Sequence, residues 1–225
     1  MALTPLANEA DFNNSAYADL ANYLQNGDLT ARMLRATRAC ESHTRRRLAP
    51  FTGLTETSRL QAVDVDDSFT AGALLPAGAQ IAADRAASFG YTDMVRHLWV
   101  REYPPLYPEL WTGQVTGIVA YWSYGNDTVI DPTTAQYEPD TGHVRLPLGV
   151  FTPPGTTAKI TYSGGYTADT PDDLVEACIA MAAHLIIRSL DPMAAAGVGH
   201  DPDIARSHAE SLLQPYHRNP RAPQR

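Results

Sequence analysis

Between Ala158 and Leu190 the chain reads AKITYSGGYTADTPDDLVEACIAMAAHLIIRSL, and this stretch leaves few choices for what the rest can fold into. Its first residues alternate, with Ile160 and Tyr162 on one face and Lys159 and Thr161 on the other, which is the period of a strand. Gly164-Gly165 then break the strand, because glycine alone reaches positive φ without steric cost. Thr170-Pro171-Asp172-Asp173 reads as a helix start, with Thr170 as cap, Pro171 at the first helical position and two carboxylates on the positive end of the dipole. The helix is expected to run to about Leu190, where Asp191-Pro192 stops it. Leu174, Cys178, Met181 and Leu185 form one apolar stripe, and Val175, Ile179, Ala182, Ile186 and Leu190 form another. Only a thin line through Glu176, His184 and Arg188 is polar. Such a helix must be covered on more than one side, either as a central core helix or as one that also meets a neighbouring subunit.

With 225 residues the chain is long enough for a substantial core, as one domain or a domain with a large insertion. Its net charge of −8 speaks against a sequence-reading DNA binder, which would carry a basic patch. Cys40 and Cys178 are far apart in sequence, so they offer neither zinc spacing nor a secreted disulfide framework, and reduced core residues are expected. The first residues have no charged region followed by an apolar run, and no stretch reaches the length a membrane helix needs. A soluble protein used in a reducing cytoplasm, without a membrane partner, is the expectation.

Residues 1–14 read as an arm. Ser15 is placed to cap a short helix over Tyr17–Gln25, and a second helix is expected from about Leu29 to Leu48, burying Met33, Ala36, Cys40 and Thr44. Arg32, Arg35 and Arg38 lie three apart on it, and Arg45-Arg46-Arg47 cluster at its end, where they favour the dipole or offer a basic surface. From Thr55 the pattern changes to strands: Arg59–Val65, Val95–Glu102, Gln114–Tyr124, Thr128–Ile130, Gln136–Glu138 and His143–Leu146. Gly125-Asn126-Asp127 and Asp140-Thr141-Gly142 read as turns, and Ala71–Ala87 as a loop with one helical turn. After the central helix come a Gly-rich loop over Met193–His200 and a last helix opened by Asp201 and Pro202, with Ile204, His208 and Leu212 on one face. Residues 216–225 form a basic tail with two prolines.

The strand ending in Tyr162-Ser163-Gly164-Gly165-Tyr166, a short polar loop, and Pro171-Asp172-Asp173-Leu174 opening a long Ala-rich helix that ends in Arg188 resembles the head–tail connector (adaptor) proteins of tailed bacteriophages. The amino-terminal pattern of a short helix, a turn and a longer helix ending in arginines and Phe51 resembles the same family, as does the order of the strands. The resemblance implies an α+β protein: a helical bundle from the N- and C-terminal parts of the chain with a β-rich insertion between them. The segments would be 1–54, an arm and helix pair; 55–165, the β-rich insertion; 166–215, helices completing the bundle; and 216–225, the tail. It further implies a structural virion protein of the neck, assembled in the host cytoplasm as a homo-oligomeric, dodecameric ring beneath the portal protein. Such a ring extends the DNA channel without sequence-specific binding and docks the next neck or tail protein. No catalysis and no cofactor are implied. Glu176 and Arg188 are then candidates for the subunit interface. Tyr216, Arg218, Arg221 and Arg225 are candidates for contact with the portal or a neighbour, since a tail so poor in apolar groups cannot order itself alone.

Two other readings follow from single residues. His200, Asp201 and His208, with Asp203 and His184 nearby in sequence, are chemically suited to a metal-assisted hydrolase, though Asp201 and Asp203 are equally explained as helix-start residues. Tyr103, Tyr107, Trp111, Trp122 and Tyr124 would suit a carbohydrate-binding β module, or would fill the core of a small sheet. Asp64, Asp66 and Asp67 lack the glycine and glutamate pattern of a calcium loop. No Walker loop, GxGxxG, HExxH or GxSxG is present, so no catalytic, cofactor or metal residue is assigned.

Overall fold

The computed structural model describes residues 4–24, 28–60, 97–103, 106–122, 126–138, 141–147, 155–166 and 170–217. Over these the protein is α+β, with its strands in two antiparallel sheets.

The first helix, α1, covers Glu9–Asn13, inside the stretch expected as an arm. The asparagines there act as caps. The Asn8 side chain accepts from the Asp11 N–H at 3.0 Å, and the Asp11 carboxylate accepts from the Asn8 N–H at 2.8 Å. Phe12 and Leu6 are thereby turned into the core. The next helical segment, Ala18–Tyr23, is 3-10 and buries Leu20. Helix α2, Asp28–Thr44, stops short of the expected Leu48, because Arg45 takes φ 58° and the Arg46 N–H returns to the Glu41 carbonyl. Glu41 Oε1 then accepts from the Leu48 and Ala49 N–H groups at 2.9 and 3.1 Å, fixing the exit of the chain. Arg46 is buried, and the Arg47 guanidinium lies 5.9 Å from the centre of the Phe51 ring, so the arginine cluster is not one exposed surface.

Helix α3, Asp172–Ile187, is the buried helix the sequence demands. Every residue from Ala177 to Ala183 is buried. Pro171, not Thr170, is the cap: its carbonyl accepts from the Leu174 and Val175 N–H groups, and no side chain caps. A short helix α4, Pro192–Gly197, occupies what reads as a Gly-rich loop, because Asp191 caps it through the Ala194 N–H at 2.8 Å. In the last helix, α5, Pro202–Leu213, Asp201 is the cap as expected. Its inward face is Ala205, Ala209 and Leu213, which leaves Ile204 exposed. Small residues here suit close approach to the alanine-rich α3.

The strands are β1 Phe51–Arg59, β2 His97–Trp99, β3 Gln114–Trp122, β4 Asn126–Ile130, β5 Gln136–Glu138, β6 His143–Arg145 and β7 Thr157–Gly164. They order as β1-β7-β3-β4 and as β2-β6-β5. In β7 the buried residues are Ala158, Ile160, Tyr162 and Gly164, the alternation read from sequence. Strand β1 begins eight residues before the expected Arg59, and most of the expected strand to Val65 lies outside the described residues, as do Ala71–Ala87 and Val95. Asn126 and Asp127, read as turn residues, belong to β4, paired with Trp122 and Tyr121. Gly125 and Asp140 lie outside the described residues.

The chain divides into two compact units: Met1–Phe51 with Pro104–Thr112 and Gly164–Arg225, and Thr52–Tyr103 with Gly113–Ser163. This corrects the expected architecture of a helical bundle from the two chain ends around one β-rich insertion. The mid-chain segment Pro104–Thr112 belongs to the unit that holds α1, α2, α3, α4 and α5, and the strands make two separate sheets. The physical reason is Trp111. Its indole is 5% exposed and packs among Phe51 and Tyr166, so a segment that composition marks as part of a β-rich region is anchored with the helices.

Candidate functional site

The residues that carry the resemblance form the junction between β7 and α3. The Tyr166 N–H donates to the Leu48 carbonyl at 2.9 Å, and the Thr112 N–H and hydroxyl donate to the Gly165 carbonyl at 3.2 and 3.1 Å. The Tyr166 hydroxyl donates to the Leu106 carbonyl, and its ring meets Trp111 edge-on at 5.2 Å. Both glycines are required by close approach. A Cβ on Gly164 would lie 2.9 Å from the Phe51 and Trp111 rings. One on Gly165, at φ +119°, would lie 2.6 Å from the Ala49 carbonyl oxygen and the Pro50 Cα. Before the break, in the second unit, the Tyr162 hydroxyl donates to Glu56 Oε1 at 2.7 Å and accepts from the Glu102 N–H at 3.1 Å. Every polar group described in this motif serves packing or backbone geometry.

Tyr216, a candidate for outside contact, is fully buried in its own chain. It sits in the 3-10 turn Gln214–Tyr216, and its hydroxyl donates to the Asp173 carboxylate, 2.7 Å from both oxygens. In this conformation it is not offered to a neighbour. Arg218, Arg221 and Arg225 lie outside the described residues.

Burial holds the phenols of Tyr162, Tyr166 and Tyr216 well above the ordinary value of 10.0, helped by Glu56 at Tyr162 and Asp173 at Tyr216. The folded chain therefore keeps protons that the unfolded chain releases once the pH passes about 10. Stability from these groups is complete below that pH and falls as pH rises from there toward the higher folded values. Circular dichroism melts should show the melting temperature dropping steeply above about pH 10. Tyr216→Phe should make that drop shallower. A flat profile in the unaltered protein would contradict the burial of these hydroxyls.

The polar line of α3 is used by α5. Glu176 lies 2.9 Å from His208 Nε2, His184 Nδ1 lies 2.8 Å from the Pro202 carbonyl, and Arg188 donates to Asp203 at 3.1 Å. The two proposed interface residues thus have partners within their own chain, although the side chains of Glu176 and Arg188 each remain 61% exposed. Exposed pairs of this kind contribute about 0–1 kcal/mol each.

The contacts give the residues of the hydrolase reading other partners. Asp201 caps α5 through the Asp203 and Ile204 N–H groups, His200 Nε2 meets Asp19 Oδ1 at 3.1 Å, and His208 Nε2 meets Glu176. Among the described residues no group of three or more His, Cys, Asp or Glu is placed to hold a metal ion. Asp64, Asp66 and Asp67 lie outside them. Of the aromatics, Trp111 is in the core of the first unit, Tyr107 is 44% exposed, and Tyr103 is half-buried in the second unit. The Trp122 side chain and Tyr124 lie outside what is described. Cys40 and Cys178 are buried free thiols, and the neighbouring Cys178 thiol together with burial pushes Cys40 up, while Cys178 Sγ lies 3.5 Å from the Thr37 hydroxyl. No described helix is long and apolar enough to cross a membrane.

One juxtaposition escapes sequence reading: His97 and His143 meet on one face of the β2-β6-β5 sheet. The signal was present in the alternations His97-Leu98-Trp99 and His143-Val144-Arg145, but only strand pairing brings them together. No family model matches the chain, and no curated protein matches it.

Proposed function

We propose that the protein is a structural component of a tailed bacteriophage neck, a head-to-tail connector that forms a ring under the portal protein. The ring extends the DNA channel and docks the next neck or tail protein, and it acts by geometry and not by catalysis. The observation that carries this reading is the Tyr162–Tyr166 junction leading into Pro171 and α3. The residues that resemble the connector family include those whose hydrogen bonds and close contacts fix residues 164–166 against Leu48, Phe51 and Trp111, ahead of the buried helix α3. A net charge of −8 suits a surface past which DNA must slide without adhering. The exposed edge through Glu176 and Arg188 is the part of α3 left for a neighbouring copy, since its apolar faces are covered within the chain.

The test is to mix the purified protein with a portal from the same particle and image the product by negative stain, with the mass measured by light scattering. Rings stacked on the portal are expected. A protein that stays monomeric beside intact portal rings would overturn the proposal.

A further inference from the structure

In the β2-β6-β5 sheet the register pairs His97 with Arg145 and Trp99 with His143, so these four residues share one face while Leu98 and Val144 are buried on the other. His97 Nδ1 and His143 Nε2 are 2.8 Å apart. Their rings are parallel to within 2°, with centroids 5.1 Å apart. Face-to-face stacking at that offset is incompatible with so short a nitrogen contact. The centroid separation is the sum of the hydrogen bond and the two ring radii, so the rings lie edge to edge in one plane and the nitrogens meet head-on. Only one hydrogen fits between them, and at least one nitrogen therefore presents a lone pair.

Two further contacts orient the pair. The other nitrogen of His143, Nδ1, faces Glu138 Oε2 at 3.6 Å, and the Thr141 hydroxyl donates to that same carboxylate oxygen at 3.3 Å. A carboxylate behind an imidazole favours hydrogen on the nitrogen it faces and leaves the opposite nitrogen as an electron-pair donor, the usual support for a histidine metal ligand. The Trp99 ring lies against His143 at 5.0 Å with an interplanar angle of 29°, covering it from one side, and the His143 side chain is 17% exposed.

We propose that His97 Nδ1 and His143 Nε2 form a two-imidazole site for a first-row transition metal ion of the kind imidazole favours, with Cu2+ bound most tightly, and that Glu138 is its positioning residue. Metal–nitrogen bonds of about 2.0–2.1 Å require the nitrogens to part by about 0–1.4 Å, least for a 90° angle at the metal and most for a linear one. Small rotations of the two side chains provide that. The hydrogen now held between the rings shifts to the far nitrogen of His97, so two neutral imidazoles bind the ion without net proton release. Water completes the coordination on the exposed side. The copper preference follows the general order of divalent affinities for nitrogen sites.

The experiment is titration of the metal-free full chain with Cu2+, Ni2+ and Zn2+, followed by calorimetry and, for Cu2+, electron paramagnetic resonance. One ion per chain with nitrogen hyperfine structure is expected, with Cu2+ tightest. His97→Ala and His143→Ala should each weaken binding at least about tenfold, and Glu138→Gln should weaken it by about 10-fold or somewhat more without removing it. The histidine pair in the other unit, His43 and His217, has ring centroids 6.0 Å apart and serves as the control, and replacing both should leave this site intact. Should the alanine variants not fold, Cu2+ added to the unaltered protein must broaden the NMR resonances of residues 97–99 and 143–145 before any others. Binding that survives loss of either His97 or His143, or broadening that begins elsewhere, would overturn the proposal.

Discussion

Gly165→Ala is expected to cost about 4 kcal/mol or more and to lower the melting temperature by about 10 °C, or to leave the chain unfolded. Two costs combine. The residue sits at φ +119°, a conformation that L side chains rarely adopt, which alone costs about 1–3 kcal/mol. The added Cβ would also lie 2.6 Å from the Ala49 carbonyl oxygen and the Pro50 Cα, which are backbone atoms and cannot rotate away. Relief requires moving Leu48–Pro50, and with them the hydrogen bond from Tyr166 to the Leu48 carbonyl. Gly197→Ala is the matched control: a Cβ there meets nothing within 4 Å, and the change should leave the melting temperature unchanged or slightly raised. Thermal unfolding followed by circular dichroism compares the two. Equal melting temperatures for both variants would contradict the geometry of the junction.

Ile186→Asp is expected to abolish folding, with Val175→Asp much milder. Both positions belong to the second apolar stripe of α3, and periodicity alone ranks them equally. The structure does not: Ile186 is fully buried whereas Val175 is half-buried. A carboxylate at position 186 would lose its water and would leave a cavity where the isoleucine packed, so a loss of more than about 4 kcal/mol is expected. At position 175 the side chain can reach water from the first turn, where negative charge is favoured, and a loss of about 1–2 kcal/mol is expected. Soluble yield and urea midpoints measure both, and comparable loss for the two variants would show that the stripe is not asymmetric.

Local geometry was legible wherever one chemical group decides it. The alternation of Ala158, Ile160 and Tyr162, the buried face of α3 and the Asp201 cap all follow from sequence, and the break falls at Gly165 alone, since Gly164 stays in β7 and only Gly165 takes a positive φ. Helix ends were less so, because several local groups compete to cap each end and composition does not rank them. Thr44 and Glu41 end α2 through bonds to backbone groups, and Pro171 caps α3 with its carbonyl in place of the threonine hydroxyl. Asn8 and Asp191 each open short helices in stretches whose composition suggests loops. The architecture is not legible in the sequence because segment 104–112 looks β-rich by its neighbours, while the decisive contacts of Trp111 are with residues distant in sequence. The same limit hid His97 and His143. Their separation in the chain carries no motif, and the register of three short strands makes them one site.

The chain passes from one compact unit to the other at residues 51–52, 103–104, 112–113 and 163–164. Neither unit is therefore a contiguous fragment, and neither can be obtained by shortening the protein from an end. During synthesis α1 and α2 leave the ribosome long before α3 and α5, the helices they must pack against, exist. Folding of that unit is postponed until the chain is nearly complete, which makes it slow and exposes apolar surface to chaperones in the interval. The interleaving also changes what a protease can do. One cut between residues 103 and 104 yields two pieces, each carrying part of both units, so the nicked protein should migrate as a single species until it is denatured.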